Sequence, residues 1–224
     1  MIALHLVVDG PSEEWFVRLL LAPHLRDRGV TADAVIVPHV GYRRHKRQGI
    51  CGLLRENVGD THRFSTMFDY YALPEDFPGK AGPAGARPLD RVSQLEDALA
   101  EDIADPRFIP YLQLHEFEAL LLADPSRFVA QYPDRPDAVQ GLVASVASAG
   151  EPEDIDDGPE TAPSKRIAAH FPRYAQQKPL ASSTIARAIG LETMRARCPH
   201  FATWLRALEA LPVAGTKTVP FQPA

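Results

Sequence analysis

Cysteine is scarce in this chain. Two thiols, Cys51 and Cys198, in 224 residues cannot build a disulfide framework, and neither belongs to a Cys-x-x-Cys pair. A reducing compartment is the expectation. Positive charge is also short: 24 lysines and arginines stand against 29 aspartates and glutamates, a net charge of −5 with histidine neutral. Proteins that coat nucleic acid are usually basic overall, so any contact with a polyanion must come from a local patch or a partner. No apolar run approaches the ~20 residues that span a bilayer. Met1–Gly10 has neither a basic n-region nor a small-residue cleavage site. The expectation is a soluble, cytoplasmic protein with no membrane partner. A Walker loop, a Gly-x-Gly-x-x-Gly, a Gly-x-Ser-x-Gly elbow and a solenoid-period repeat are all missing. The chain is therefore not read as a nucleotide-driven motor or as a Ser-His-Asp hydrolase.

What is present is an alternation of apolar segments and amphipathic ones. At ~150 residues per domain, the length suits one α/β unit with an elaboration. Ile2–Val8 reads as a buried strand ending in a tight turn, followed by a helix from Ser12 to Arg28 with Trp15, Leu19 and Leu20 on one face. Ala34–Pro38, Phe64–Phe68 and Phe108–Leu114 read as further strands; Ile50–Val58 and Leu89–Ile103 read as helices, with a basic loop over Gly41–Gly49. This order predicts a mostly parallel four-stranded sheet covered on both faces, over residues 1–124. Residues 125–211 read as a helical elaboration, with helices near 138–149, 165–170, 182–189 and 199–211, an acidic linker over 151–163 and a loose tail over 212–224.

In open parallel sheets, ligands bind outside the carboxyl ends of the strands, so the acids there carry the interest. Asp9 closes the first strand and Glu13 lies in the first turn of the next helix, with Gly10 between them for the turn. Two such carboxylates suit a hard cation, or they complement the helix dipole. Asp69 follows the third strand and would stand beside Asp9. Next to it, Tyr70 and Tyr71 are candidates for base stacking or for packing. After the fourth strand comes His115-Glu116-Phe117-Glu118, where either glutamate could face the strand ends; one of them could instead make an internal ion pair. Zinc is disfavoured, because no second His lies four residues on and no Pro-Cys-x-x-Cys follows. Arg43, Arg44, Lys46 and Arg47 form the densest cationic run, read as a solvated loop or as a phosphate-contacting patch. Lys165 and Arg166 sit in the first turn of a helix that Ser164 would cap, where the dipole disfavours cations. Their placement hints at an anionic partner. Cys198 and His200 lack a third ligand nearby in sequence and are read as packing groups.

Val7-Val8-Asp9-Gly10-Pro11-Ser12-Glu13 resembles the Val-Glu-Gly-x-Thr-Glu motif of Toprim domains, particularly those of the overcoming-lysogenization-defect nucleases. Most of the chain, about residues 1–211, resembles a bacterial family known as domain of unknown function 4276. That match rests on Asp69-Tyr70-Tyr71, Phe77-Pro78-Gly79, Leu114–Leu121, Ala162–Arg166 and Cys198–Phe201. The resemblance implies a Toprim-like fold and a Mg²⁺ or Mn²⁺ site built from Asp9, Glu13, Asp69, Glu116 and Glu118, with His115 and Tyr71 as secondary candidates. It implies phosphodiester hydrolysis on nucleic acid, with DNA favoured over RNA, and an ATPase partner in defence against phage. Two departures are visible: the leading acid is Asp9 where the motif has Glu, and the Toprim Asp-x-Asp is here Asp69-Tyr70-Tyr71.

Overall fold

The computed structural model describes residues 1–38, 41–81, 87–155 and 161–211. Residues 39–40 and 82–86, residues 156–160 of the expected acidic linker and the expected tail over 212–224 lie outside the described residues. The chain runs through strand β1 (Ile2–Val8), helices α1 (Pro11–Phe16) and α2 (Ala22–Arg26), β2 (Val30–Ile36), α3 (Arg47–Glu56), β3 (His62–Asp69) and α4 (Pro88–Ile103). Short strands β4 (Phe108–Ile109) and β5 (Leu112–Gln113) follow, then α5 (Glu118–Leu121), α6 (Pro136–Ala149), α7 (Pro163–His170), α8 (Lys178–Ile189), α9 (Leu191–Arg197) and α10 (Pro199–Glu209). All the pairings are parallel. The five-stranded sheet has the order β2-β1-β3-β4, with β5 also on β3. No described helix is long and apolar enough to cross a membrane.

Parallel pairing puts every strand's carboxyl end on one edge, while alternation along β1 divides its side chains between two faces. Leu4, Leu6 and Val8 enter one hydrophobic cluster together with Phe16, Leu21, Ile185, Phe201, Trp204 and Leu208. Val7 enters the other with Phe64, Phe68, Ile50, Leu95 and Leu99. The helical region thus completes one side of the sheet's own core.

Three expectations are corrected. The expected fourth strand over Phe108–Leu114 is two short pieces, so the sheet has five strands instead of four. Pro110 divides them because it has no N–H for the ladder. The flanking backbone is satisfied by side chains instead: Tyr111 N–H donates to Thr66 Oγ1 at 3.0 Å, and Leu112 N–H donates to Glu96 Oε1 at 2.8 Å. The first helix buries a different face from the expected one. Residues Val17–Leu21 between α1 and α2 are wound as a π-turn, which adds a residue to the turn and rotates α2 relative to α1. Phe16, Val17, Leu21 and Leu25 become fully buried, while Trp15 and Leu19 are 36% and 43% exposed. The expected basic loop over Gly41–Gly49 is helical from Tyr42 onward. Asp76 accepts from the Tyr42 and Arg43 N–H groups, at 2.7 and 3.0 Å, and so caps the turn that runs into α3.

Trp204 anchors α10 to the sheet. Its ring stacks on Tyr111 at 4.3 Å, and its Nε1–H donates to Ser65 Oγ at 2.9 Å. Trp204→Ala leaves a cavity and removes that hydrogen bond, so we expect a loss of about 3–5 kcal/mol, read as a lowered midpoint in urea unfolding.

A buried acidic site at the strand ends

Four carboxylates from different parts of the chain meet at the carboxyl edge of the sheet. Asp9 follows β1, Glu13 lies in the first turn of α1, Asp69 ends β3 and Glu118 opens α5; all four are buried. Gly10 takes an extended backbone with φ near −165°, so the turn does not depend on a left-handed residue. Its value is space, since a Cβ there would stand 3.3 Å from Glu13 Oε2.

Each acid is held by identifiable donors. Asp9 Oδ2 accepts from the Asp69 N–H at 3.1 Å, and Asp69 Oδ1 accepts from the Phe117 N–H at 2.8 Å. A second Asp9 oxygen pairs with the ammonium of Lys46, which is fully buried and sits 3.8 Å above the Phe68 ring. Glu118 Oε1 accepts from Tyr174 Oη at 3.0 Å and pairs with Lys178 Nζ at 2.9 Å. Glu118 Oε2 is buried with no hydrogen-bond partner among the described residues.

Burial pushes the Glu13 carboxyl up to about 7, with Glu118 and Asp9 adding repulsion while its own backbone and Lys178 oppose it. Burial, then Glu13 and Glu118, holds Asp69 well above the usual carboxylate range. Burial alone would lower Lys178, yet Glu118, Asp69 and Glu13 together raise it above its ordinary value. Four acids against the ammonium groups of Lys46 and Lys178 carry a formal surplus of two negative charges when fully ionised. Protons on Glu13 and Asp69 relieve that surplus, and a divalent cation would do the same. Carboxylate oxygens are the donors a hard cation takes, and Glu118 Oε2 has a lone pair to spare. As the side chains stand, no group of three acidic, imidazole or thiol side chains among the described residues is arranged to hold an ion.

The remaining sequence candidates divide. Glu116 stands apart from the cluster, because its Oε2 accepts from the Ser164 N–H at the start of α7, at 2.9 Å. Ser164 is accordingly not the cap of that helix; Ala162 holds the N-cap position with Pro163 next. His115 adopts φ +62° at the bend after β5. Glu153 O accepts from its Nε2 at 2.9 Å, which leaves Nδ1 to accept from the Tyr71 hydroxyl at 2.6 Å. Tyr71 is thereby a clamp on the bend. Arg43 and Arg44 are exposed, whereas Lys46 is buried on Asp9 and Arg47 pairs with Asp102 at 2.7 Å. Lys165 is exposed, and Arg166 bonds Ser145 Oγ at 2.7 Å. Cys198 is buried, and His200 pairs with the buried Glu96 at 3.1 Å.

Sequence reasoning missed Lys178 and Tyr174. A cation in the first turn of a helix, where the dipole disfavours it, is the signal that singles out Lys165 and Arg166. Lys178 carries the same signal, as the first residue of α8.

The sign of the Glu13 shift sets a pH test. Its native pKa lies above the unfolded value, so the native state binds the proton more tightly, and stability falls as pH rises from about 4.5 to about 7. We expect Glu13→Gln to match the parent below pH 4 and to exceed it at pH 8 by about 3 kcal/mol, measured by urea unfolding at both pH values.

No curated protein and no solved structure matches this chain. Residues 8–209 match the family described as Domain of unknown function (DUF4276), a span holding the whole acidic site and nearly all of the helical region. The chain belongs to that family.

Proposed function

We propose that the chain is a metal-dependent nuclease with a Toprim-like core, hydrolysing nucleic-acid phosphodiesters with Mg²⁺ or Mn²⁺. The observation that carries this reading is the surplus of buried negative charge at the sheet's carboxyl edge, with two acids pushed toward their neutral forms. Asp9, Glu13, Asp69 and Glu118 would hold the ion. When bound, a divalent cation neutralises charge on the transferring phosphoryl oxygens and lowers the pKa of water. Lys178, partly exposed beside Glu118, would meet a phosphate oxygen, while the buried Lys46 keeps Asp9 ionised. Arg43 and Arg44, exposed one turn from Lys46, would grip neighbouring phosphates. DNA as the substrate, an ATPase partner and a role in defence against phage rest on the Toprim resemblance alone.

A second reading has its own support. Lys46 and Lys178 already neutralise Asp9 and Glu118, and the position of the second acid in Asp-x-Asp is Tyr71, whose hydroxyl is spent on His115. These features suit a non-catalytic Toprim-like subunit that docks on an ATPase and takes an anionic ligand.

Incubation with plasmid DNA and Mg²⁺ or Mn²⁺ tests the first reading, alone and with an ATPase encoded nearby. Asp69→Asn should lower cutting at least about a hundredfold, and chelation should abolish it. Equal cutting by the variant, or none under any metal or partner, refutes the nuclease. Calorimetric titration with Mn²⁺ separates the two readings, since binding lost in Glu13→Gln favours the enzyme and no binding at millimolar metal favours the subunit. For the grip, Arg43→Ala and Arg44→Ala should each flatten the log–log salt dependence of duplex binding by about 0.9. An unchanged slope removes that segment from the interface.

A further inference from the structure

Away from the carboxyl edge, the sheet carries a second polar constellation. Asp33 of β2 stands in register with His5 of β1, and His62 of β3 lies diagonally from His5, two residues before its register partner Phe64, so the three form an oblique row over adjacent strands. Asp33 Oδ2 lies 3.0 Å from His5 Nδ1, and His5 Nε2 lies 3.0 Å from His62 Nδ1. The two imidazole planes are within 11° of parallel. About 13 Å of extended strand separates His5 from Asp9, so this row is distinct from the acidic site.

The proton positions follow from the chemistry of the three groups. A carboxylate only accepts, so His5 Nδ1 donates to Asp33, and in the neutral ring Nε2 presents a lone pair. That lone pair faces His62 Nδ1. A carboxylate on the far nitrogen of an imidazole is the arrangement that orients metal-binding histidines and raises their basicity. A tetrahedral ion with metal–nitrogen bonds of about 2.0–2.1 Å sets two nitrogens about 3.3 Å apart, so the gap has to open by a few tenths of an ångström and both rings have to tilt, because their facing nitrogens now point at each other. The His62 proton would move to its Nε2, leaving both facing nitrogens bare. Solvent reaches the row, since the His5 side chain is 12% exposed and that of Asp33 is 61% exposed.

We propose that His5 Nε2 and His62 Nδ1 form a site for a borderline divalent transition-metal ion of the Zn²⁺ or Ni²⁺ class, with Asp33 orienting His5 and water completing the coordination. Imidazole suits such ions, whereas Mg²⁺ prefers oxygen. Asp33 is committed to the other face of His5 and is not a third ligand, which agrees with the absence of a three-ligand group among the described residues.

Calorimetric titration of the full chain with Ni²⁺, in millimolar Mg²⁺ to occupy the acidic site, tests the proposal. One micromolar site is expected, lost in His5→Gln and in His62→Gln, weakened about tenfold or more in Asp33→Asn, and retained in Asp69→Asn. Because His62 lies at the start of β3 and is only half-buried, its variant serves as the readout if His5→Gln fails to fold. Binding that persists in His62→Gln, or no binding by the parent, overturns the site. Neither outcome bears on the nuclease reading, which depends on Asp69.

Discussion

A carboxylate removed from water costs several kcal/mol unless charge or hydrogen bonds compensate it, and this protein removes four of them at one sheet edge. The compensation arrives from distant parts of the chain. Lys46, at the entry to α3, neutralises Asp9 from one face of the sheet. Lys178 and Tyr174, at the entry to α8, satisfy Glu118 from the other. Between them, backbone N–H groups of Asp69 and Phe117 tie the ends of β1, β3 and β5 into one relay. The acidic edge could not be buried by residues 1–124 alone, because Lys178 and Tyr174 lie beyond them.

The same logic binds the helical region to the sheet elsewhere. Glu153 accepts from the His200 and Phe201 N–H groups at 2.8 and 3.0 Å, capping α10, while its carbonyl oxygen accepts from His115. Burial raises Glu96 above its ordinary range although His200 opposes the shift. Burial would lower His200, yet its bond to Glu96 leaves it raised. That pair joins α4 to α10 and lies beside Tyr111, whose ring also stacks on Trp204. Polar contacts therefore set the position of α10, and apolar burial supplies its driving force.

The split edge strand has a matching role. Pro110 interrupts the ladder, and Thr66 and Glu96 take over its backbone groups. The chain then resumes as β5 further along β3, with Phe68 opposite Leu112 and Asp69 opposite Gln113. That pairing sends the following bend toward Asp69. His115 accepts the left-handed backbone because Tyr71 and Glu153 hold both ring nitrogens. Phe117 N–H then reaches the Asp69 carboxylate.

Local pattern alone determined a good deal. Apolar runs ending in acids located β1 and β3, and helical periodicity located α4, because a parallel sheet buries whole strands and leaves polar residues at their ends. Asp9, Glu13 and Asp69 were legible for that reason, and Glu116 and Glu118 were legible as alternatives. Only the tertiary structure decided which glutamate of Glu116 and Glu118 turns inward, since β5 ends at Gln113 and the bend at His115 sets how the chain enters the helix that opens at Glu118. Only tertiary structure brought Lys46 out of its cationic run to Asp9, and Lys178 to Glu118 across 60 positions. Charge spacing along a chain records neighbours in sequence, whereas a buried ion pair is set by which elements pack together.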